Sequence, residues 1–181
     1  MASVGPLENN ETRRRPVSQY ARMHASAFGP TVLRVALGVV FLGHGAQKLF
    51  GVWGGDGPTG TAAFFNQLGL TPAYILALGV GIVELAAGLL LIAGLFTLPV
   101  CAVLVLDMTV AIWKVHIANG FFLNWKNAPG LGHGFEYNLV LIASLVTLMF
   151  TGPGALSIDS RRLNSAATQA AGRARLRATG S

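Results

Sequence analysis

The sequence predicts an all-α protein, a four-helix transmembrane bundle with both termini on the cytoplasmic side. Three observations carry that expectation. Of the 181 residues, 52% are hydrophobic and only 11% charged, less than half of the roughly 25% with which a soluble domain keeps its surface in water. The apolar residues gather into four windows, and a helix needs about 20 apolar residues to cross the hydrocarbon core. The charges are segregated: residues 1–30 net +2, residues 153–181 net +4, and residues 31–152 net zero. The high pI therefore belongs to the two ends, and the body between them is charge-balanced.

Residues 1–30 read as a basic N-terminal tail, carrying Arg13, Arg14, Arg15 and Arg22 against Glu8 and Glu11. The apolar stretch begins near residue 31 and runs on without a small-residue cleavage site, so no secretory leader is expected. The sequon Asn10-Glu11-Thr12 falls on the cytoplasmic side of this topology and is read as chance. The first span covers about 31–50. The connection 51–71, GVWGGDGPTGTAAFFNQLGLT, starts Gly-rich and ends in a short amphipathic piece. The second span, about 72–95, is opened by Pro72, a residue suited to the first turn of a helix. A link of only a few residues, LFTLP, makes the third span, about 97–117, its antiparallel neighbour.

The connection 118–134 mixes Phe121, Phe122 and Trp125 with Gly and Pro, the composition of a loop anchored at the membrane interface. The fourth span, about 135–150, is the shortest and covers only about 24 Å at ~1.5 Å per residue. Pro153 suits the position just past a helix, and residues 153–181 read as a flexible basic C-terminal tail. An even number of spans puts both arginine-bearing ends on one side, which the positive-inside rule makes the cytoplasm. The membrane domain is thus expected to occupy 31–152, in a bacterial inner membrane. The single Cys101 excludes an intrachain disulfide and any C-x-x-C redox pair. Basic tails beside hydrophobic spans point to topology rather than to nucleic acid.

Each span nevertheless carries ionisable residues. Arg34, His44 and Lys48 lie on the first, Glu84 on the second, Asp107, Lys114 and His116 on the third, and Glu136 opens the fourth. A charge at the bilayer centre costs at least about 2.5–3.5 kcal/mol, so such groups face the bundle or a wet cavity and mark a site by default. At about 100° per residue, Arg34, Lys48 and His44 fall in one sector of the first span, read as facing inward. Glu84 and Asp107 sit at similar depth in their own spans. Arg34, Lys48 and Lys114 balance Glu84, Asp107 and Glu136, as burial in a low dielectric requires. The bland alternative is that such charges only fix helix register. Gly38, Gly45, Gly79, Gly81 and Gly88 read as points of close helix approach, and Cys101 as a small core residue.

The spacing contains no metal-binding pattern, no hydrolase triad and no phosphate loop. GVWGGDG lacks the strand–helix frame of a dinucleotide site. A His–Lys–carboxylate cluster fits proton-coupled handling of a small polar or quinone-like head group, because His exchanges protons near neutral pH and Lys polarises a carbonyl. The catalytic candidates are His44, Lys48, Glu84 and Asp107. Arg34, Lys114 and Glu136 are candidates for ligand binding.

LRVALGVVFLGHGAQKLFG, with GVGIVELAAGLLLIAG and GFEYNLVLI, resembles the DoxX family of small bacterial membrane proteins over about residues 31–152. The resemblance implies Arg34, His44, Gly45, Lys48, Glu84, Glu136 and Tyr137 as marked positions, and adds Tyr137 to the ligand-binding set. The family is named for its likeness to a subunit of thiosulfate:quinone oxidoreductase, which implies a quinone-linked redox subunit. With one Cys and no haem or flavin motif, thiosulfate or disulfide chemistry would need a second oxidoreductase subunit or a redox-stress protein as partner. Two other readings stay open. One is a non-catalytic anchor whose basic tails dock a cytoplasmic partner, and the other is a small-molecule or proton permease, which a homo-oligomer would favour.

Overall fold

The computed structural model describes residues 15–179, with side chains from Phe28 onward apart from several near the C-terminal end. Arg13, Arg14 and the Asn10 sequon lie outside the described residues. Among the described residues there are six α-helices and no strand: α1 (Arg15–Phe50), α2 (Gly57–Gln67), α3 (Ala73–Ala93), α4 (Thr97–Ala111), α5 (Glu136–Thr151) and α6 (Ile158–Thr179). The protein is all-α.

Three stretches are long and apolar enough to cross a membrane: Phe28–Phe50, Ala73–Ala93 and Thr97–Asn119. The third exceeds α4 because the helix runs on through a π turn, Ile112–His116, and a final 3₁₀ turn, Ile117–Asn119. α5 is as apolar but has 16 residues. Beyond these spans, α1 extends upstream through Pro30 to Arg15, and α2 occupies the amphipathic part of the 51–71 connection. Much of the segment read as a C-terminal tail forms α6.

The interior follows from residue spacing. Leu37 and Phe41 of α1, Ala87 and Leu91 of α3, Cys101, Leu104 and Met108 of α4, and Leu141, Leu145 and Leu148 of α5 form one core. These recur three or four residues apart, so each helix turns one stripe inward. A smaller core joins Ala62 and Phe65 of α2 to Ala73 and Ala77 of α3. The opposite faces are also apolar and exposed: Val32 and Val39 on α1, Ile75, Ile82 and Leu89 on α3, and Leu98 and Leu106 on α4. Water would penalise such a surface, whereas hydrocarbon does not.

α1 and α3 cross antiparallel on two glycine pairs seven residues apart on each helix. A Cβ on Gly38 would lie 2.9 Å from Gly88 O, and one on Gly88 would lie 2.7 Å from Gly38 O. At the second contact, a Cβ on Gly45 would lie 2.8 Å from Gly81 O. Only hydrogen fits at these crossings. Gly79, expected among them, faces open space instead.

Candidate functional site

The second glycine crossing sets up the charged cluster. Gly45 and Lys48 are one turn apart on α1, and Gly81 and Glu84 one turn apart on α3. Close approach of the two backbones lets the Lys48 ammonium reach the Glu84 carboxylate, Nζ to Oε2 at 2.6 Å. Glu84 is only 2% exposed. Asp107 comes from α4, with its side chain against that of Glu84 and within the field of Lys48. Its Oδ2 is buried and accepts no hydrogen bond. Next to it, Met108 packs in the core and receives a weak hydrogen bond from the Asn138 amide, Nδ2 to Sδ at 3.4 Å.

One ammonium therefore faces two carboxyl groups inside an apolar bundle. A lone buried charge is prohibitive and a paired one tolerable: Lys48–Glu84 accounts for itself, while Asp107 is held by the Lys48 charge and by its contact with Glu84 and keeps one oxygen, Oδ2, without a donor. One proton shared by the two carboxyl groups would bring the cluster to neutrality. Among the described residues, no three His, Cys, Asp or Glu side chains are grouped to hold a metal ion.

His44 lies one turn before Lys48 and within reach of its charge. It is exposed on the flank of α1 rather than turned inward. The buried stripe of α1 passes through Arg34, Phe41 and Gly45, and His44 lies about 100° around the helix from Gly45.

The remaining candidates do not join this cluster. Lys114, on the π turn, lies over the Trp113 ring, 4.1 Å from its centroid. Glu136 anchors the 118–134 loop, its Oε1 accepting from Leu123 N at 2.9 Å while its own N–H donates to Phe121 O at 2.9 Å. His116 belongs to the same loop framework through its Nδ1 contact with His133 O at 2.8 Å. Tyr137 is 39% exposed on α5.

Arg34 lies at the other end of the bundle and is 1% exposed. Its partners are backbone carbonyls. Nε donates to Pro153 O (3.0 Å), Nη2 to Leu156 O (3.2 Å), and Nη1 to both Ile92 O (2.9 Å) and Leu91 O. The guanidinium thereby takes up the Ile92 carbonyl that the end of α3 leaves unpaired, shares the Leu91 carbonyl with Gly94 N, and ties both to the turn after α5. Thr31 adds a bond from Oγ1 to Ala155 O at 2.6 Å.

Asp159, which the sequence reading did not single out, completes this end. Its N–H donates to Gly94 O at 2.9 Å. Its carboxylate accepts from Phe96 N (3.1 Å), Thr97 N (2.8 Å) and Thr97 Oγ1 (2.9 Å), capping the start of α4. Partial burial pushes this carboxyl upward, but the bonds from Thr97 and Phe96 and the nearby Arg162 charge outweigh it and hold it below its ordinary range. The sequence marks Asp159 only as a lone acid opening an arginine-rich segment; its partners at Phe96 and Thr97 lie 63 and 62 residues away along the chain.

Between α3 and α4 runs an apolar groove of about 290 Å³, lined by Val83, Ala87 and Leu90 on one side and Pro99, Val100 and Val103 on the other. Val83 precedes Glu84, and Val103 lies one turn before Asp107. The groove therefore ends at the level of the carboxyl pair.

Comparison with known proteins agrees with this architecture. The DoxX family model matches residues 29–117. An uncharacterized membrane protein of Mycobacterium tuberculosis is 32% identical over 140 residues, covering 75% of this chain and 82% of its own. The protein named "Putative oxidoreductase CatD" in Bacillus subtilis is 31% identical over 133 residues, 72% of this chain and 84% of its own. The inner membrane protein YphA of Escherichia coli is 28% identical over 131 residues, 72% and 87% respectively. No solved structure matches the chain.

Proposed function

The chain belongs to the DoxX family of membrane proteins, and on that footing we propose that it is a quinone-linked redox subunit of the bacterial inner membrane. The observation that carries this reading is the Lys48–Glu84–Asp107 cluster, with its buried Asp107 oxygen that accepts no hydrogen bond. A satisfied ion pair would serve as structural glue. A cluster with an excess carboxyl group, at the depth where an apolar groove between α3 and α4 ends, suits a ligand with a polar head and an apolar tail.

Reduction of a quinone to the quinol consumes two electrons and two protons. Glu84 and Asp107 would pass the protons, and Lys48 would polarise the head-group carbonyl. His44, on the exposed flank one turn away, would exchange protons with the surroundings. The electrons would come from a flavin or metal centre on a partner subunit, which the relative's printed name, an oxidoreductase, is in keeping with. We read α5 as the fourth span, its ends drawn into the headgroup layer. The arginine bias of the two ends puts both on the cytoplasmic side.

The test is mass spectrometry of the protein purified in native lipid, followed by titration of a quinone into the wild type, Glu84→Gln and Asp107→Asn. Bound quinone that is lost in both variants, with membrane insertion intact, is the expected result. A wild type that carries none and binds none on titration overturns the reading.

A further inference from the structure

α6 is a helix that the bundle does not bury. Its first turn is tied to the α3–α4 corner by the Asp159 bonds to Gly94, Phe96 and Thr97. From Arg161 to Arg173 every residue is exposed. The segment carries Arg161, Arg162, Arg173, Arg175 and Arg177 against the single acid Asp159, and that acid is already engaged at the start of α4. What α6 presents to its surroundings is therefore cationic.

We propose that α6 lies along the anionic headgroup surface of the leaflet at its own end of the bundle. Position argues for it first. The helix starts at a corner shared by two membrane-crossing stretches and only a short turn beyond α5, so its arginines begin at the membrane surface. Within about one Debye length, roughly 8–10 Å, the field of an anionic leaflet reaches them. Complementarity of charge then selects acidic phospholipid as the occupant.

The composition also decides which force dominates. In helical projection, Leu163, Ala166, Ala167, Ala170 and Ala171 share one side, within about 140° of arc. Alanine methyls bury little area, so this side lacks the bulky apolar anchors with which amphipathic helices insert. The association is electrostatic, and it must weaken with salt and fail on neutral lipid.

The test uses the full chain in lipid nanodiscs, carrying Cys101→Ala and a fluorophore on Ala170→Cys. Collisional quenching by a water-soluble quencher should fall several-fold in phosphatidylglycerol-rich discs relative to phosphatidylcholine discs. High salt should restore it, and a variant with all five arginines changed to Gln should show no fall. Equal quenching in the two lipids overturns the proposal. So does protection that survives salt or removal of the arginines, which would assign α6 to insertion or to a protein contact.

Discussion

Arg34→Leu is the sharpest probe of how this bundle is held together. The side chain is 1% exposed and donates to four carbonyls, those of Leu91, Ile92, Pro153 and Leu156. Hydrogen bonds from charged donors contribute about 1.5–3 kcal/mol each, but four such values do not add, because leucine also removes the desolvation penalty of the guanidinium. The carbonyls left behind are the larger concern, at about 1–3 kcal/mol for each that water cannot reach. This end of the bundle adjoins the interface, so some will find water. Two stranded carbonyls set the net cost at about 3–4 kcal/mol.

Cys101 supplies the assay. It is the only cysteine, fully buried, one turn into α4 from the Asp159-capped Thr97. In bicelles its alkylation by a membrane-permeant maleimide requires the bundle to open. At 1.36 kcal/mol per decade, the loss predicts alkylation faster by roughly a few hundred-fold. Arg34→Lys keeps the charge but loses the planar fork, and should fall between leucine and the wild type. A leucine variant within about threefold of the wild-type rate would refute the assignment of Arg34 as the bundle's fastener.

Three further outcomes follow from the same structure. Gly88→Ala should cost about 1–3 kcal/mol or more, because its Cβ would lie 2.5 Å from Leu42 N and 2.7 Å from Gly38 O, backbone atoms that cannot step aside. Gly79→Ala, facing open space, should be neutral or slightly stabilising, and thermal unfolding in detergent compares the two. Lys48→Met should destabilise by about 3–5 kcal/mol, because it strands both carboxyl groups, and Glu84→Leu should cost less, because Lys48 keeps Asp107 as a partner; equal losses would show that Asp107 does not hold the ammonium. Asp159 is held below its ordinary range, so its contribution is present above about pH 3.9 and lost as pH falls through its lower folded value. Exchange protection of the Phe96 and Thr97 amides, corrected for intrinsic rate, should stay flat at neutral pH and drop in acid, and a drop already near neutrality would contradict the assignment.

The apolar stretches were legible because hydrocarbon-length runs have few other uses, and the charged cluster because ionisable groups inside them must find one another. Glu84 and Asp107 could be grouped from depth alone, whereas Lys48 lies nearer the end of its span and could be joined to them only by sign. Arg34 could not be assigned its partners, since the carbonyls of Leu91, Ile92, Pro153 and Leu156 belong to the backbone and leave no mark in the sequence. Lys114 and Glu136 were expected to balance charges within the bundle. They meet an indole ring and a loop amide instead, because the π turn and the 118–134 loop supply partners that spacing does not reveal. His44 shows the limit of helical arithmetic: angles between residues are known from sequence, but the centre of the buried face depends on where α3 packs. Gly79 and Gly81 make the same point, two residues apart and on different sides of the contact.

The two polar clusters of the bundle divide structure from function by how completely their groups are satisfied. Around Arg34 four of the five guanidinium N–H donors meet carbonyls and Asp159 closes the start of α4, so a ligand would have to break bonds to enter. Around Lys48 one ammonium meets two carboxyl groups, one carboxyl oxygen accepts nothing, and an apolar groove between α3 and α4 ends at their depth. Burying an unsatisfied acceptor costs about 1–3 kcal/mol, and a bundle that needed only stability could remove it by placing an apolar residue at position 107. Asp107→Leu should accordingly raise thermal stability while abolishing quinone binding. If it lowers stability as much as Glu84→Leu does, Asp107 is part of the glue, and the argument for a ligand at this site loses its footing.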